Sequence, residues 1–301
     1  MYDIIIIGAG PAGLTSAIYA SRAGKKVLVF EALSYGGQIV NTKQIDNYPA
    51  LPHISGFDFS TNLYNQAREL GAEIRFEKAI DIKVDGEKRV VVTENDEYET
   101  KAIIIAIGVK NRKLELDREQ ELIGKGISYC ATCDGNFYKD KIVAVNGGGN
   151  TALDDALYLS DICKKVYLIH RRDEFRAASS TVEKVKSQNN IELVLNSTVT
   201  KLIGDEKLES IEVTDNDNNV RTLDVNGLFV AIGQIPENNN VVKEIELNDK
   251  GYIVSGEDCH TNIPRVYVAG DIREKDLRQL TTACSDGSMA ATVAVREIKD
   301  L

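Results

Sequence analysis

Apolar residues fall along this chain in two alternating patterns. Short unbroken runs, such as IIII at Ile4–Ile7 and VLVF at Val27–Phe30, are bounded by glycine or charge and read as buried strands. Between them Leu14, Ala17 and Ile18 recur at helical spacing. The stretch IIIIGAGPAGLTSAIYASRAGKKVLVFEA, from Ile4, therefore predicts a strand, a glycine turn, a helix and a second strand. VAVNGGGNTALDDALYLSDICKKVYLIHRR, from Val143, predicts the same and aligns with it without a gap at a constant offset of 139. Gly8 matches Gly147, Gly10 matches Gly149, Ala17 falls on Ala156, Tyr19 on Tyr158, and Lys25-Lys26-Val27 on Lys164-Lys165-Val166.

The likeness continues past these βαβ units. Each copy goes on into β-prone runs broken by turn signals, Asp85-Gly86 and Asn95-Asp96 in one, Gly204-Asp205 and Asn216 to Asn219 in the other. Each then closes on an apolar strand that delivers a glycine to one edge of its sheet, AIIIAIG ending at Gly108 and GLFVAIG at Gly233. A gapless duplication with these flanks predicts an α/β protein of two homologous dinucleotide-binding domains, which a lone glycine-rich turn would not.

Composition adds exclusions. The 301 residues leave room for two domains, and 43% hydrophobic with 27% charged residues is ordinary for a chain with full cores. The formal charge, 36 minus 46 or −10, argues against a nucleic-acid or anionic-membrane partner, because the long-range field repels phosphate. Met1 to Ile7 runs straight into a glycine turn, with neither the charged segment nor the apolar length of a signal peptide or membrane span. A cytoplasmic protein is expected. Five cysteines, two of them close together, do not make a secreted disulfide framework.

The two glycine turns differ in what they are expected to hold. In GAGPAG, with Pro11 and Ala12 between the glycines, Gly8 gives the tight turn, Gly10 the close approach of a pyrophosphate, and Gly13 the helix-strand contact. The second copy carries Ala152 in the third place, after Asn150 and Thr151. Twenty-three positions after the first glycine stands Glu31 in one copy and His170 in the other. A carboxylate there accepts hydrogen bonds from an unmodified ribose, as in FAD or NAD, and repels a 2′-phosphate. His170, Arg171 and Arg172, with Arg176 a turn further on, put positive forks where a 2′-phosphate would sit, so the second domain is expected to select NADPH. The plainer reading of these arginines is a solvated face paired with Asp173 and Glu174.

Chemistry enters at YCATCDGNFY, Tyr129 to Tyr138, where Cys130 and Cys133 stand two residues apart and Asp134 follows. A zinc site needs four ligands, and the remaining Cys163, Cys259 and Cys284 are far apart in a chain with three histidines. Cys163 and Cys284 read as buried packing residues. Cys259 beside His260 is discounted as a nucleophile pair because neighbours on a strand face opposite ways. A redox disulfide between Cys130 and Cys133 is left, in the company of one flavin-type and one NADPH-type domain. Hydride leaving NADPH for a flavin and continuing as an electron pair to the disulfide closes the chemistry, and Asp134 stands where it can move the proton. Its alternative is a turn or helix-capping role, compatible with the first. Cys133, next to Asp134, is read as the flavin-side sulfur.

GAGPAG, GGQ at Gly36 to Gln38, CATCD, GGGNTA at Gly147 to Ala152, HRRDEFRA at His170 to Ala177 and VAGD at Val268 to Asp271 together resemble the low-molecular-weight, bacterial-type thioredoxin reductases nearly end to end. The resemblance implies the class II pyridine nucleotide-disulfide oxidoreductase fold: three-layer Rossmann-like domains, each a parallel sheet plus a β-meander. It implies bound FAD, NADPH as donor, thioredoxin as acceptor and a homodimer. It also implies a discontinuous FAD domain, residues 1–112 with 243–301, and an NADPH domain, 113–242, carrying the CxxC. By the same resemblance Gly36, Gly37, Gln38 and Asn47 line the flavin, Gly270 and Asp271 hold its ribityl chain, and Arg278 and Gln279 meet its isoalloxazine end, where the helix of TTACSDGSMAA begins. Gly108 closes the FAD site and Gly233 the NADPH site. Ile107, Arg265, Asn136 and Cys284 depart from the family's usual residues.

A ferredoxin-driven thioredoxin reductase or an oxygen-dependent dithiol oxidase of the same fold would share the CxxC, yet has no use for an intact GGGNTA and HRRDEFR. A ferredoxin–NADP reductase would lack the CxxC, and a non-catalytic redox sensor would not need Asp134. Because Cys133 lies eight residues before the strand that begins the NADPH domain, the disulfide rides on that domain. One flavin must serve both nicotinamide and disulfide, so the family's rotation of one domain against the other is expected, through linkers near Arg112 to Glu115 and Asn238 to Val242.

Overall fold

The structure, a computed structural model, describes residues 1–42, 44–45, 47–86, 88–236 and 244–299. The chain divides into two compact units, Met1–Lys110 with Ile235–Leu301, and Asn111–Gln234. The first contains strands β1 (Tyr2–Ile7), β2 (Val27–Glu31), β3 (Glu73–Phe76), β4 (Ala79–Asp85), β5 (Lys88–Thr93) and β6 (Glu97–Ile105), with helix α1 (Pro11–Arg22) after β1 and α2 (Gly56–Glu69) before β3. Strand β7 (Val109–Asn111) leaves it. The second unit follows with α3 (Glu119–Leu122), β8 (Ile127–Ser128), α4 (Ala131–Asp134), β9 (Ile142–Asn146), α5 (Asn150–Ser160), β10 (Lys165–Ile169), α6 (Ser179–Ser187), β11 (Ile191–Val194), β12 (Ser197–Ile203), β13 (Ser210–Asp215), β14 (Val220–Asp224) and β15 (Gly227–Val230). Strand β16 (Gln234–Pro236) pairs with β7, and the returning chain adds β17 (Val266–Val268) and α7 (Leu280–Glu297) to the first unit.

The two units repeat one architecture. In the first, β3-β2-β1-β6-β17 run parallel, and β6 extends into the antiparallel meander β4-β5-β6. In the second, β11-β10-β9-β15-β8 run parallel, with the meander β12-β13-β14 as a separate sheet. The meander turns fall at the expected Asp85-Gly86, Asn95-Asp96, Gly204-Asp205 and Asn216 to Asn219. The fifth parallel strand comes from opposite ends of the two repeats. The first unit takes β17 from the returning chain, and the second takes β8 from the segment that enters it. Parallel strands end at a common edge, so the loop after β8 in one unit corresponds to the loop after β17 in the other.

The unbroken isoleucine run of β1 reflects a strand covered on both faces. Ile4 and Ile6 pack with α1 and α7, whereas Ile5 and Ile7 join Phe30, Val91 and Val268 on the other side, as alternation along a strand requires. In the second unit Val143 and Val145 face α5, and Ala144 and Leu228 face the meander. Each such large side chain removed from water contributes roughly 1.5–3 kcal/mol. Pro11 opens α1 at a position whose N–H has no helical partner, and Ser55 caps α2 by accepting from the Asp58 N–H at 3.0 Å. Arg265 occupies φ 61°, the left-handed region that favours glycine, at a cost of about 1 kcal/mol.

Of the two expected pivots, Asn238 to Val242 lies outside the described residues. The other is fastened within the second unit. The Glu119 carboxylate, buried, accepts from the N–H groups of Leu114 and Glu115, both at 2.9 Å, and from the Tyr129 hydroxyl at 2.5 Å. Among the described residues no helix is long and apolar enough to cross a membrane.

Helices α1 and α7 pack against each other closely in the first unit. A Cβ on Gly287 would stand 2.2 Å from the Ala12 carbonyl oxygen, and Ser16 donates to the Gly287 carbonyl at 3.0 Å. Gly287→Ala is therefore expected to push α7 away from α1 and destabilise the first unit by about 1–3 kcal/mol. A lowered thermal unfolding midpoint checks this, and an unchanged midpoint would contradict the contact.

Candidate functional site

Each glycine turn has positions with no room for a side chain and one that is open. A Cβ on Gly8 would lie 2.4 Å from the Ala106 carbonyl oxygen, and one on Gly147 would lie 2.3 Å from that of Ala231, so both turns sit hard against the end of a neighbouring strand. A Cβ on Gly13 would overlap the Gly8 carbonyl at 1.9 Å, the close helix-strand contact expected of it. Ala152 occupies that place in the second unit and is fully buried there. The middle glycines are open. The nearest atom to a Cβ on Gly10 would be the Gly37 Cα, and on Gly149 the Arg176 carbonyl oxygen, both at 4.0 Å. That is space for a ligand backbone rather than for protein.

In the first unit the Glu31 carboxylate, at the end of β2, accepts from the N–H groups of Ala9 at 2.8 Å and Leu33 at 3.0 Å, which fixes it beside the turn. Gly36 and Gly37 hold φ of 99° and 61°, and Gly37 faces Gly10. Gln38 donates to the Val109 carbonyl just beyond Gly108, itself at φ 67° with nothing within 4 Å of its missing side chain. Asn47 and Gln279, 232 residues apart, meet through a 3.0 Å hydrogen bond at the start of α7. Arg278 donates to the Asp271 carbonyl at 3.1 Å and lies 4.0 Å over the Tyr252 ring. The Asp271 Oδ1 is buried without a hydrogen-bond partner among the described residues, and burial raises its carboxyl above the usual range. An orphaned carboxylate oxygen beside an open glycine turn fits a polyhydroxylated cofactor, whose hydroxyls would satisfy it.

Sequence reasoning missed what holds Asp271 in place. Asp286, on α7, accepts from the Gly270 N–H at 3.0 Å, from Arg273 at 3.0 and 3.3 Å and from Lys275 at 2.8 Å, all nearly buried. Charged residues ordinarily read as surface, and no spacing distinguishes these.

In the second unit the arginine loop is tied to the glycine turn. The Arg176 N–H donates to the Gly148 carbonyl at 2.7 Å, and the Ala178 N–H donates to the Asn150 side chain at 3.0 Å. The His170 ring sits where a Cβ on Gly148 would be, 2.1 Å away, stacks on Phe175 and contacts the Glu174 carbonyl at 3.1 Å. Arg171, Arg172 and Arg176 are exposed, and among the described residues none of their side chains pairs with an acid; Asp173 and Glu174 do not neutralise them. Burial, and then these three arginines, lower the His170 pKa below its ordinary value. Thr151 is exposed at the first turn of α5, and Gly233 lies at φ 106° beside Arg112.

Cys130 and Cys133 are joined by a disulfide with their Cα atoms 5.3 Å apart. Cys130 caps the one-turn helix α4, and the pair lies at the carboxyl end of β8, in the loop that corresponds to the Gly270-Asp271 turn of the first unit. Asp134 ends that helix with its carboxylate accepting from the Ser128 hydroxyl at 2.6 Å, and Ser128 also accepts from the Cys130 N–H at 3.1 Å. Ser128 is another residue the sequence did not single out; it ties the acid to the backbone of the redox pair. The three free thiols are placed differently. Burial pushes Cys163 up to about 11 and Cys259 to about 12, which keeps both protonated and inert. Cys259 is not on a strand: its backbone is at φ 63°, its thiol turns toward the Asp286 carbonyl, and His260 is engaged by Glu297 and Asp258. Cys284 departs from expectation in being only partly buried.

The pyridine nucleotide-disulphide oxidoreductase family matches residues 2–297. The chain is 41% identical to a thioredoxin reductase of Peptoclostridium acidaminophilum over 99% of this chain and 98% of that one, and 38% identical to a thioredoxin reductase of Listeria innocua over 100% and 95%. The crystal structure of thioredoxin reductase from Streptococcus pyogenes superposes with a TM-score of 0.95 at 35% identity, over 100% of this chain and 99% of that one.

Because burial and the surrounding arginines both disfavour imidazolium, His170 is expected to stay neutral at pH 7. Its lowered folded pKa means that the stability it allows is present above about 6.5 and is lost as pH falls through the folded value. NMR titration of the ring checks this; a pKa above 6.5 would contradict the arrangement.

Proposed function

Because the chain belongs to the pyridine nucleotide-disulphide oxidoreductase family and, within it, to the thioredoxin reductases, we propose that it is an NADPH-dependent thioredoxin-disulfide reductase. In this reading electrons pass from NADPH through FAD and the Cys130–Cys133 disulfide to oxidised thioredoxin. The observation that carries it is the closed disulfide at the carboxyl edge of a parallel sheet, where the loop after β10 presents three arginines with no acidic partner among the described residues.

The first unit holds FAD. Gly8, Gly10 and the start of α1 take the pyrophosphate, Glu31 the adenosine ribose, Asp271 the ribityl hydroxyls, and Gly36 to Gln38, Asn47, Arg278 and Gln279 the ring end. FAD supplies, when bound, the conversion of a hydride from NADPH into the electron pair that the disulfide takes up. The second unit holds NADPH, with Gly147 to Ala152 at the pyrophosphate and Arg171, Arg172 and Arg176 around the 2′-phosphate. His170, kept neutral, fixes the turn through Gly148 without adding charge of its own.

The chain's own chemistry is at the sulfurs. Two electrons break the Cys130–Cys133 bond and leave two sulfur anions. Asp134, held by Ser128, is placed to deliver or remove the proton that distinguishes thiol from thiolate. One thiolate then attacks a thioredoxin sulfur and expels the other; the second attacks the mixed disulfide, restores Cys130–Cys133 and releases dithiol thioredoxin. The buried thiols Cys163 and Cys259 take no part. The same reading makes the enzyme a cytoplasmic homodimer, carried by the family, and the net charge of −10 argues against nucleic-acid and anionic-membrane partners.

Cys130→Ser and Cys133→Ser are each expected to abolish thioredoxin reduction while leaving FAD bound and its bleaching by NADPH intact, since reduction of the flavin precedes the disulfide step. Stopped-flow absorbance and a thioredoxin-coupled assay check the two halves separately. Turnover near the parent rate in either variant would overturn the redox assignment.

A further inference from the structure

The buried charges beneath the Gly270-Asp271 turn form a set that balances only when Asp271 is included. Arg273 and Lys275 are two cations with side chains 4% and 7% exposed, and the Asp286 side chain, 8% exposed, is one anion between them. Arg273 engages both Asp286 oxygens, donates to the Gly256 carbonyl at 2.9 Å and stands 3.5 Å from the exposed Glu257 carboxylate, so among the buried groups it already balances Asp286 in charge. Lys275 is the surplus cation. Its Nζ is 2.8 Å from Asp286 Oδ2 and 3.4 Å from the Thr282 hydroxyl, and it stands 3.7 Å from Asp271 Oδ1, too far for a hydrogen bond and close enough for charge attraction to an oxygen that is itself buried, although the Asp271 side chain as a whole is 32% exposed. The orphaned Asp271 oxygen is thus held by charge without being consumed by a donor.

We propose that Lys275 is a positioning residue for the flavin: anchored by Asp286, its ammonium supplies the charge that keeps the Asp271 carboxylate poised as a free acceptor for the cofactor. The inference rests on the reading that the first unit binds FAD. Among the described residues, the charged groups acting on Asp271 are Lys275 and Arg278 from its own loop and Asp286 from α7; from α1, Ala12 lies against Gly270. Burial raises the Asp271 pKa foremost and Asp286 raises it further, while Lys275 and Arg278 lower it. Removing Lys275 therefore moves the pKa up, and the carboxylate is lost at a higher pH than in the parent.

The test measures the FAD dissociation constant of the purified flavoprotein, from free-flavin fluorescence on dilution, between about pH 6 and about pH 8.5. Lys275→Met is expected to hold FAD about tenfold or more weakly than the parent at the acid end, with the gap closing toward the alkaline end. Lys275→Arg restores the parent profile. In an Asp271→Asn background, where no carboxylate titrates, Lys275→Met adds little. Should Lys275→Met not fold, Lys275→Gln takes its place with the same expectation. A loss equal at every pH, a Lys275→Arg variant as weak as Lys275→Met, or an undiminished effect in the Asp271→Asn background would each overturn the proposal. A parent protein that carries no flavin would instead overturn the reading beneath it.

Discussion

The carbonyl oxygens of Ala106 and Ala231 occupy the space that a side chain on Gly8 or Gly147 would need. That exclusion presses each glycine turn against the end of its neighbouring strand and aims the following helix N-terminus over the carboxyl edge of the sheet, where unpaired N–H groups and the helix dipole favour phosphate. The residues with proposed chemical roles gather at those two edges: Glu31 and the Asp271 turn at one, His170, the arginines and the disulfide at the other. The fold is used twice, and the two copies differ in the few residues proposed to decide which nucleotide each one takes.

The fifth parallel strand explains where the disulfide sits. In the first unit the loop after β17 turns at Gly270 and presents a carboxylate; in the second the loop after β8 closes into α4 and presents two sulfurs. One topological position has thus been given a carboxylate, proposed to hold the cofactor, in one copy and a disulfide in the other. Drawing that strand from opposite ends of the two repeats inserts the second unit into the first and leaves the disulfide just after the chain enters its own unit.

Much of this was legible in the sequence because it depends on local order. The gapless offset, the isoleucine runs and the residues 23 positions after each first glycine need no tertiary information to be read. The equivalence of β8 and β17 was not legible, since strands of two and three residues carry no periodicity. Nor were Ser128, Asp286, Arg273 and Lys275, whose importance lies in burial and in partners far along the chain. The arginine cluster was ambiguous between a phosphate site and a paired surface. Its ambiguity came from not knowing whether Asp173 and Glu174 reach the arginines, which only coordinates can answer.

The central claim is that a nicotinamide-driven disulfide reductase is assembled from two copies of one nucleotide-binding design. Its most direct test is a steady-state comparison of NADPH, NADH and reduced ferredoxin as donors to oxidised thioredoxin. The account predicts thioredoxin-dependent turnover with NADPH at a kcat/KM about a hundredfold or more above that with NADH, because two charge-assisted contacts to the 2′-phosphate are lost with the latter, and no turnover with ferredoxin. Reduction of thioredoxin by ferredoxin with NADPH inert would contradict it.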